Sequence, residues 1–525
     1  MKFFVIAHVY WCFRYINIGK IHGCKVFLSL ATPLTVNDFF TYTDQGRLLE
    51  HRHKINTRPE ELIARNDYDA LGQLMNKRVG GLATGQGLQK VDFTYNIRGW
   101  LKGINDLTNL TQGNTDPSNP KDLFAFKLNY NTVDYSVQGA VAPLYNGNIS
   151  ETFWRTGSDN TVRKYGYVYD DLNRLTEAIY QKPNSVNPEA GVTNAYNEEM
   201  SYDKNGNILT LVRRGYRDDH AGNNYIIDNL NYLYDKDTNV LRRVDDVSNS
   251  LDGFLDGNKN KQQWPTHEDY DYLYDAHGNM TADLNKDIQA ITYNHLNLPT
   301  KIDFKVSAGE KFISYLYNAV GQKVRKLVLN QSPDGAPQNV VTDYLDGYQY
   351  VDASLQFFPT AEGYVRVSGG TIFNYVYHYT DHLGNIRLSY TKEGTTVSLL
   401  EENHYYPFGM KHSYNSDIRD WGVSPETGEI YAVLEEVRRG AYQYKYNGKE
   451  YQDELSLNWY DYGARNYDPA IGRWMNIDPL AEKYKRWTPY NYAMDNPVKF
   501  IDPDGKRIKI GKNNYSYVET EIMML

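Results

Sequence analysis

Three Asp-Pro steps stand close together near the C-terminal end: Asp468-Pro469, Asp478-Pro479 and Asp502-Pro503. Paired aspartates can hydrolyse a peptide bond around a bound water. One carboxyl carries a proton while the other is ionised, because two carboxylates roughly 3 Å apart cannot both ionise and titrate as a pair. Arg473 lies in the same stretch. A guanidinium there can orient or ionise a nearby carboxylate through a bidentate pair, and it serves equally as a framework salt bridge. A conformational reading competes with the chemical one. Pro favours the first central position of a turn and a following Gly supplies positive φ, so each step also reads as a turn. Asp468, in "YDPAIGRW", reads as structural.

Other constellations carry less. "HYTDH" sets His378 and His382 four residues apart with Asp381 beside them. On a helix that spacing faces a metal, but these flanks read strand-turn-strand and supply no third ligand. "HRH" at His51–His53 reads as a solvated strand face. Cys12 and Cys24 have no neighbours that mark a nucleophile and make no disulfide framework for so long a chain. No phosphate-binding loop, CxxC pair or G-x-S-x-G elbow is present, and neither a metal nor a cofactor is expected.

The elements that position these residues are hairpins. Of 525 residues 48 are tyrosine, about twice ordinary usage, and Tyr suits a half-buried strand. A short core recurs, as "YTDQGRLLE" at Tyr42, "YDALGQLMN" at Tyr68 and "YNIRGWLKG" at Tyr95. It returns at Tyr169, Tyr202, Tyr234, Tyr274, Tyr293 and Tyr317. Each unit has an alternating apolar lead-in, an Asp or Asn able to bond the backbone two residues on, a Gly or Asn, and a second alternating run. Such a hairpin is marginal alone, so neighbours must pair. Polar insertions at 105–122, 181–199 and 246–269 read as surface loops. Within 416–440, "YAVLEEVRR" reads as a short helix.

A net charge of -9 argues against general binding of nucleic acid. The apolar run Phe3–Phe13 resembles the middle of a signal peptide but is interrupted by Arg14 and is too short to span a bilayer, which takes about 20 apolar residues. No transmembrane segment is expected.

Repeated Tyr-Asp units, "YHYTDHLGNIRL" (Tyr377–Leu388), "YYPFG" (Tyr405–Gly409) and the stretch from Tyr446 to Lys506 together resemble the YD-repeat, or RHS, family with its repeat-associated core domain. The resemblance covers roughly residues 40–506. It implies a mostly β fold in which the hairpins form a spiralling sheet, a hollow shell or part of one, closed by the core domain. The expected division is an ambiguous segment 1–38, a β-shell 39–400, a core domain 401–506 and a tail 507–525.

The resemblance also implies an intramolecular aspartyl protease. The family repeats Asp-Pro-x-Gly twice and is cut just after the second motif. The matching positions are Asp478 and Asp502, with the cut after Lys506. Two departures stand out: Ala481 replaces the first Gly, and Lys506 replaces the usual Leu, at a desolvation cost if the pocket is apolar. The segment released, Arg507–Leu525, has 19 residues, fewer than the about 40 that usually fold unaided. The expected role is structural and for delivery, with self-cleavage. The alternative is a non-cleaving surface-interaction or adhesion protein of teneurin-like kind. A protease acting on other chains is disfavoured. Expected partners are the chain's own C-terminal segment or a partner shell half, and cell-surface proteins or glycans. The expected location is secreted or cell-surface.

Overall fold

The structure, a computed structural model, describes residues 34–108, 110, 121–134, 140–183, 194–215, 225–257, 269–331, 338–394, 396–412 and 442–511, together with the backbone of 9–16, 20–27, 421–423 and 430–432. The helix expected at 431–439 lies mostly outside these residues, and Ile430–Ala432 pairs with Trp421–Val423 as a strand. The described part of the apolar N-terminal run belongs to the strand Val9–Ile16.

Among the described residues there is no α-helix. A 16-stranded antiparallel meander runs from Val9–Ile16 to Leu241–Asp246, and a 13-stranded one from Tyr272–Tyr274 to Thr396–Glu402, each strand pairing with its sequence neighbours. The two meanders meet where Asp271 donates its N–H to Arg242 O at 2.8 Å. The start of the first meander packs against the later strands of the second, since Val36 and Ile55 share a core with Phe358, Val365 and Val367.

The repeat explains itself at atomic detail. All nine expected tyrosines end a strand. In seven of the nine units the Asp or Asn that comes next accepts two backbone N–H groups through one oxygen, the units of Tyr42 and Tyr234 being the exceptions. Asp203 Oδ1 takes Asn205 N and Asn207 N, both at 2.8 Å. Asp170, Asp275, Asn294 and Asn318 repeat the arrangement. The tyrosine hydroxyl donates to a carbonyl of the preceding unit: Tyr68 to Leu48, Tyr95 to Leu74, Tyr202 to Leu175, Tyr234 to Ile208 and Tyr317 to Pro299. Phe would bury the same ring but leave that carbonyl short of a donor. This ladder gives the hydroxyl of most units a use, Tyr274 Oη being buried without a partner, and each bond contributes about 1 kcal/mol.

Because every such turn joins strands in the same sense of the meander, the turns share one rim. The C-terminal region packs against it. A four-stranded sheet, Glu450–Gln452, Trp459–Asp461, Asn466–Asp468 and Arg473–Trp474, forms its centre. Gly278 O accepts from Tyr490 Oη at 2.9 Å, Asn173 O from Asn496 Nδ2 at 2.9 Å, and Val498 O from His382 Nε2 at 2.8 Å. Arg213, fully buried, pairs with Glu198 and Asp228 and donates to Pro469 O and Ala470 O. The plug is therefore held by the turns themselves and by an internal ion cluster.

Candidate functional site

The two aspartates of the paired motif come together, and Arg465 joins them. Its Nη2 donates to Asp478 Oδ2 at 3.0 Å and to Asp502 Oδ2 at 2.9 Å. Two oxygens bonded to one nitrogen lie within roughly 6 Å of each other, twice a hydrogen-bond length. Arg465 is itself fixed. Nε donates to Gly505 O at 2.6 Å, Nη1 to Pro489 O at 3.4 Å, and the guanidinium lies over the Trp474 ring at 4.1 Å. It follows Gly463 and Ala464 and immediately precedes the strand Asn466–Asp468, so the central sheet of the plug sets its position.

Each aspartate does two things. Oδ2 faces Arg465, and Oδ1 closes a turn. Asp478 Oδ1 accepts Leu480 N at 2.7 Å while Ala481 N returns to Asp478 O at 2.9 Å. Asp502 Oδ1 accepts Lys506 N at 2.9 Å and Arg507 N at 3.1 Å. The turn thus takes only one oxygen of each carboxylate and leaves the other to Arg465.

The departures from the expected motif have local explanations. Ala481 begins a 3-10 turn and has no positive φ, so the first motif needs no Gly. Gly505 does: its φ is +73°, and a Cβ there would stand 3.0 Å from Arg465 N. Lys506 and Arg507 are exposed, so the charge of Lys506 stays in water and the anticipated desolvation cost does not arise.

Burial sets the electrostatics. Asp502 is 1% exposed. Burial pushes its carboxyl up to about 6; Arg465 opposes the rise, while Asp478 and Asp504 add to it. Burial raises Asp478 too, against Arg465 and the Leu480 N–H. The same burial lowers Arg465, opposed by its two carboxylates. Three buried ionisable groups share one positive charge. The pair therefore holds a proton up to about pH 6, above the ordinary carboxylate range, and a singly protonated pair is the state that carboxylate hydrolysis of amides requires.

Arg473, the arginine singled out from the sequence, sits elsewhere. Its guanidinium reaches Asn207 Oδ1 at 3.4 Å and Asn239 O, and lies over Tyr490 and Tyr234. It binds the plug to the turn rim, and Arg465 takes the place between the carboxylates. Nothing local distinguished the two arginines. Asp468 remains apart from the pair, accepting Trp459 Nε1 at 3.0 Å and Ala470 N at 2.9 Å. His378 contacts Ser389 Oγ, Asp381 caps its own turn, and His51 and His53, expected on a solvated face, are buried against Asp38 and Tyr375. Among the described residues no group of three or more His, Cys, Asp or Glu is placed to hold a metal, and no helix is long and apolar enough to cross a membrane.

Fold and site together define a β-shell protein whose plug carries a buried, arginine-bridged pair of carboxylates. No family model matches the sequence. The chain is 23% identical over 398 residues to toxin subunit YenC1 of Yersinia entomophaga, covering 71% of this chain and 36% of that protein. It is 24% identical over 417 residues to tRNA nuclease WapA of Bacillus subtilis, covering 67% and 16%. It is 27% identical over 272 residues to salivary gland surface protein 1 of Aedes aegypti, covering 49% and 7%. The chain thus spans little more than a third of the length of YenC1 and less of the others. The crystal structure of TcdB2-TccC3 superposes with a TM-score of 0.62 at 18% identity, over 92% of this chain and 23% of that one. The Photorhabdus luminescens Tc holotoxin pore gives 0.62 at 19%, over 92% and 21%. The spiralling β-shell that the family resemblance implied is the fold the chain adopts.

Proposed function

We propose that the chain is wall and plug of an RHS-type delivery shell, and that Asp478 and Asp502 hydrolyse the Lys506–Arg507 bond within the same molecule. The observation that carries the reading is the position of Asp502. It touches the amide nitrogen of that bond at 3.1 Å while sharing Arg465 with Asp478. In this scheme Asp478 takes a proton from water as its oxygen bonds to the Lys506 carbonyl carbon. The carbon–nitrogen bond breaks, and neutral Asp502 gives its proton to the Arg507 nitrogen. Arg465 holds both carboxyls in place as the positioning residue. The toxin-complex likeness supports a secreted shell that associates with another shell part and encloses the segment beyond Lys506.

A second reading is a non-cleaving surface protein of teneurin-like kind that meets other cell-surface proteins or glycans. The similarity to a protein named for the salivary gland surface favours it. Intact mass separates the two. Loss of Arg507–Leu525 from the wild-type chain, with retention in Asp478→Asn and Asp502→Asn, supports cleavage. A full-length wild-type mass after incubation from pH 5 to pH 8 sinks it and leaves the second reading.

A further inference from the structure

A second buried cluster lies in the wall, on the neighbouring strands Phe124–Asn129, Glu151–Thr156 and Val162–Tyr169. Glu151 stands opposite Asn129 on one side and Gly166 on the other. Its Oε1 meets Lys164 Nζ at 2.5 Å, and its Oε2 accepts Asn129 Nδ2 at 2.7 Å. One carboxylate thus bridges a primary amine and a carboxamide. Both charged side chains are 0% exposed, and Asn129 is 2% exposed.

The surroundings suit acyl transfer to the amine. Phe153 covers Lys164 Nζ at 5.5 Å, and Val141 fills the space a Cβ on Gly166 would take. Burial lowers the lysine's proton affinity, against Glu151 and Asp134. Asn129 Nδ2 donates also to Asp134 Oδ2 at 3.1 Å, so the amide nitrogen is gripped by two carboxylates. Lys164 Nζ donates to Asp134 O at 2.8 Å. A buried ion pair needs further hydrogen bonds to its carboxylate, and here the group that supplies one is a carboxamide, an acyl donor for an amine, with both N–H groups committed to carboxylates.

We propose that Lys164 and Asn129 are joined by an intramolecular isopeptide bond whose formation Glu151 promotes. Glu151 takes a proton from the Lys164 ammonium, and the neutral amine bonds to Asn129 Cγ. The second proton leaving the Lys164 nitrogen passes through Glu151 as the first did, and with both delivered to the departing nitrogen the Cγ–Nδ2 bond breaks and the group leaves as ammonium. The balance is ammonium plus carboxamide giving a secondary amide plus ammonium, with Glu151 regenerated. No oxidant or cofactor enters. The product ties two strands of the wall across the one between them.

The test is mass spectrometry of the purified full chain, read on peptides so that any loss after Lys506 is counted separately. The peptides holding Asn129 and Lys164 should be recovered linked, lighter by about 17 Da, the mass of the ammonia released. Lys164→Arg should restore two separate peptides at full mass, and so should Glu151→Gln. Separate wild-type peptides at full mass, with trypsin cutting after Lys164, would overturn the proposal without recourse to any variant. A linkage that survives in Glu151→Gln would overturn the role of Glu151.

Discussion

The pH dependence of cleavage is where the site is most exposed to refutation. If Asp502 supplies the proton to the Arg507 nitrogen, the rate follows its neutral fraction. Burial pushes that carboxyl up to about 6. The neutral fraction is then about nine-tenths at pH 5, about one-tenth at pH 7 and about one-hundredth at pH 8. The rate constant should fall about tenfold per unit above pH 6, and it should fall again on the acid side as Asp478, which must be ionised to take the water's proton, becomes protonated. A chain prepared at pH 8, diluted into buffers from pH 4.5 to 8 and sampled for intact mass reports this directly. Asp502→Asn should be uncut at every pH. The same shift bears on stability. The folded carboxyl binds its proton more tightly than the unfolded one, so its contribution is full below about pH 4 and is lost as pH rises through 6. The shift from 3.8 to about 6 corresponds to about 3 kcal/mol. A cleavage rate that varies less than twofold between pH 5 and 8, or that rises with pH above 6, would show that Asp502 is not the donor.

The plug's anchors give the remaining predictions. Arg213→Met leaves Glu198 and Asp228 buried without their cation and should lower stability by about 3–5 kcal/mol, read as a shifted urea midpoint; a loss under about 1 kcal/mol would refute the anchoring role. Tyr202→Phe removes one rung of the tyrosine ladder and should cost about 1 kcal/mol, with Tyr317→Phe adding independently because the units are separate. Gly46 and Gly278 have similar φ, +78° and +75°, but only a Cβ on Gly278 would meet the plug, at 2.3 Å from Ile477 Cδ1. Gly278→Ala should therefore destabilise clearly more than Gly46→Ala. Equal effects would mean the plug does not press on that turn.

The hairpins were legible because their signal is local. Asp203 and its relatives bond N–H groups two and four residues on, a relation written entirely within one unit. The tyrosine rungs were not, since Tyr234 reaches Ile208 in the preceding unit and only the register supplies that pairing. The carboxylate pair was readable as a motif, but its bridge was not. Arg465 and Arg473 are eight positions apart in one stretch, and both are buried. The first follows Gly463 and turns beneath Gly505; the second starts the last strand of the small sheet and meets the turn rim. Which arginine faces the aspartates is settled by how the sheet docks, and residue type alone does not encode that. The expectation that Lys506 would be penalised failed for a similar reason. It assumed an enclosed pocket, and the turn at Asp502 leaves Lys506 in water.

Burial also decides whose peptide bond such a site can serve. Arg465, Asp478 and Asp502 are 3%, 8% and 1% exposed. A second chain would have to displace Gly505, which is tied to Arg465, before its own backbone could reach Asp502. The Arg507 amide is already there, delivered by the turn that Asp502 itself closes. Reach therefore comes from covalent connection and not from binding, and the energy that would recruit a foreign substrate is replaced by the entropy saved in keeping the bond within the chain. A catalyst assembled this way acts once, on the molecule that folds it. Cleavage should be first order and independent of protein concentration, and a soluble peptide spanning Pro503 to Lys509 should be left intact by the folded protein. Concentration-dependent cutting, or turnover of that peptide, would mean the site opens to solvent in a way the buried pair does not allow.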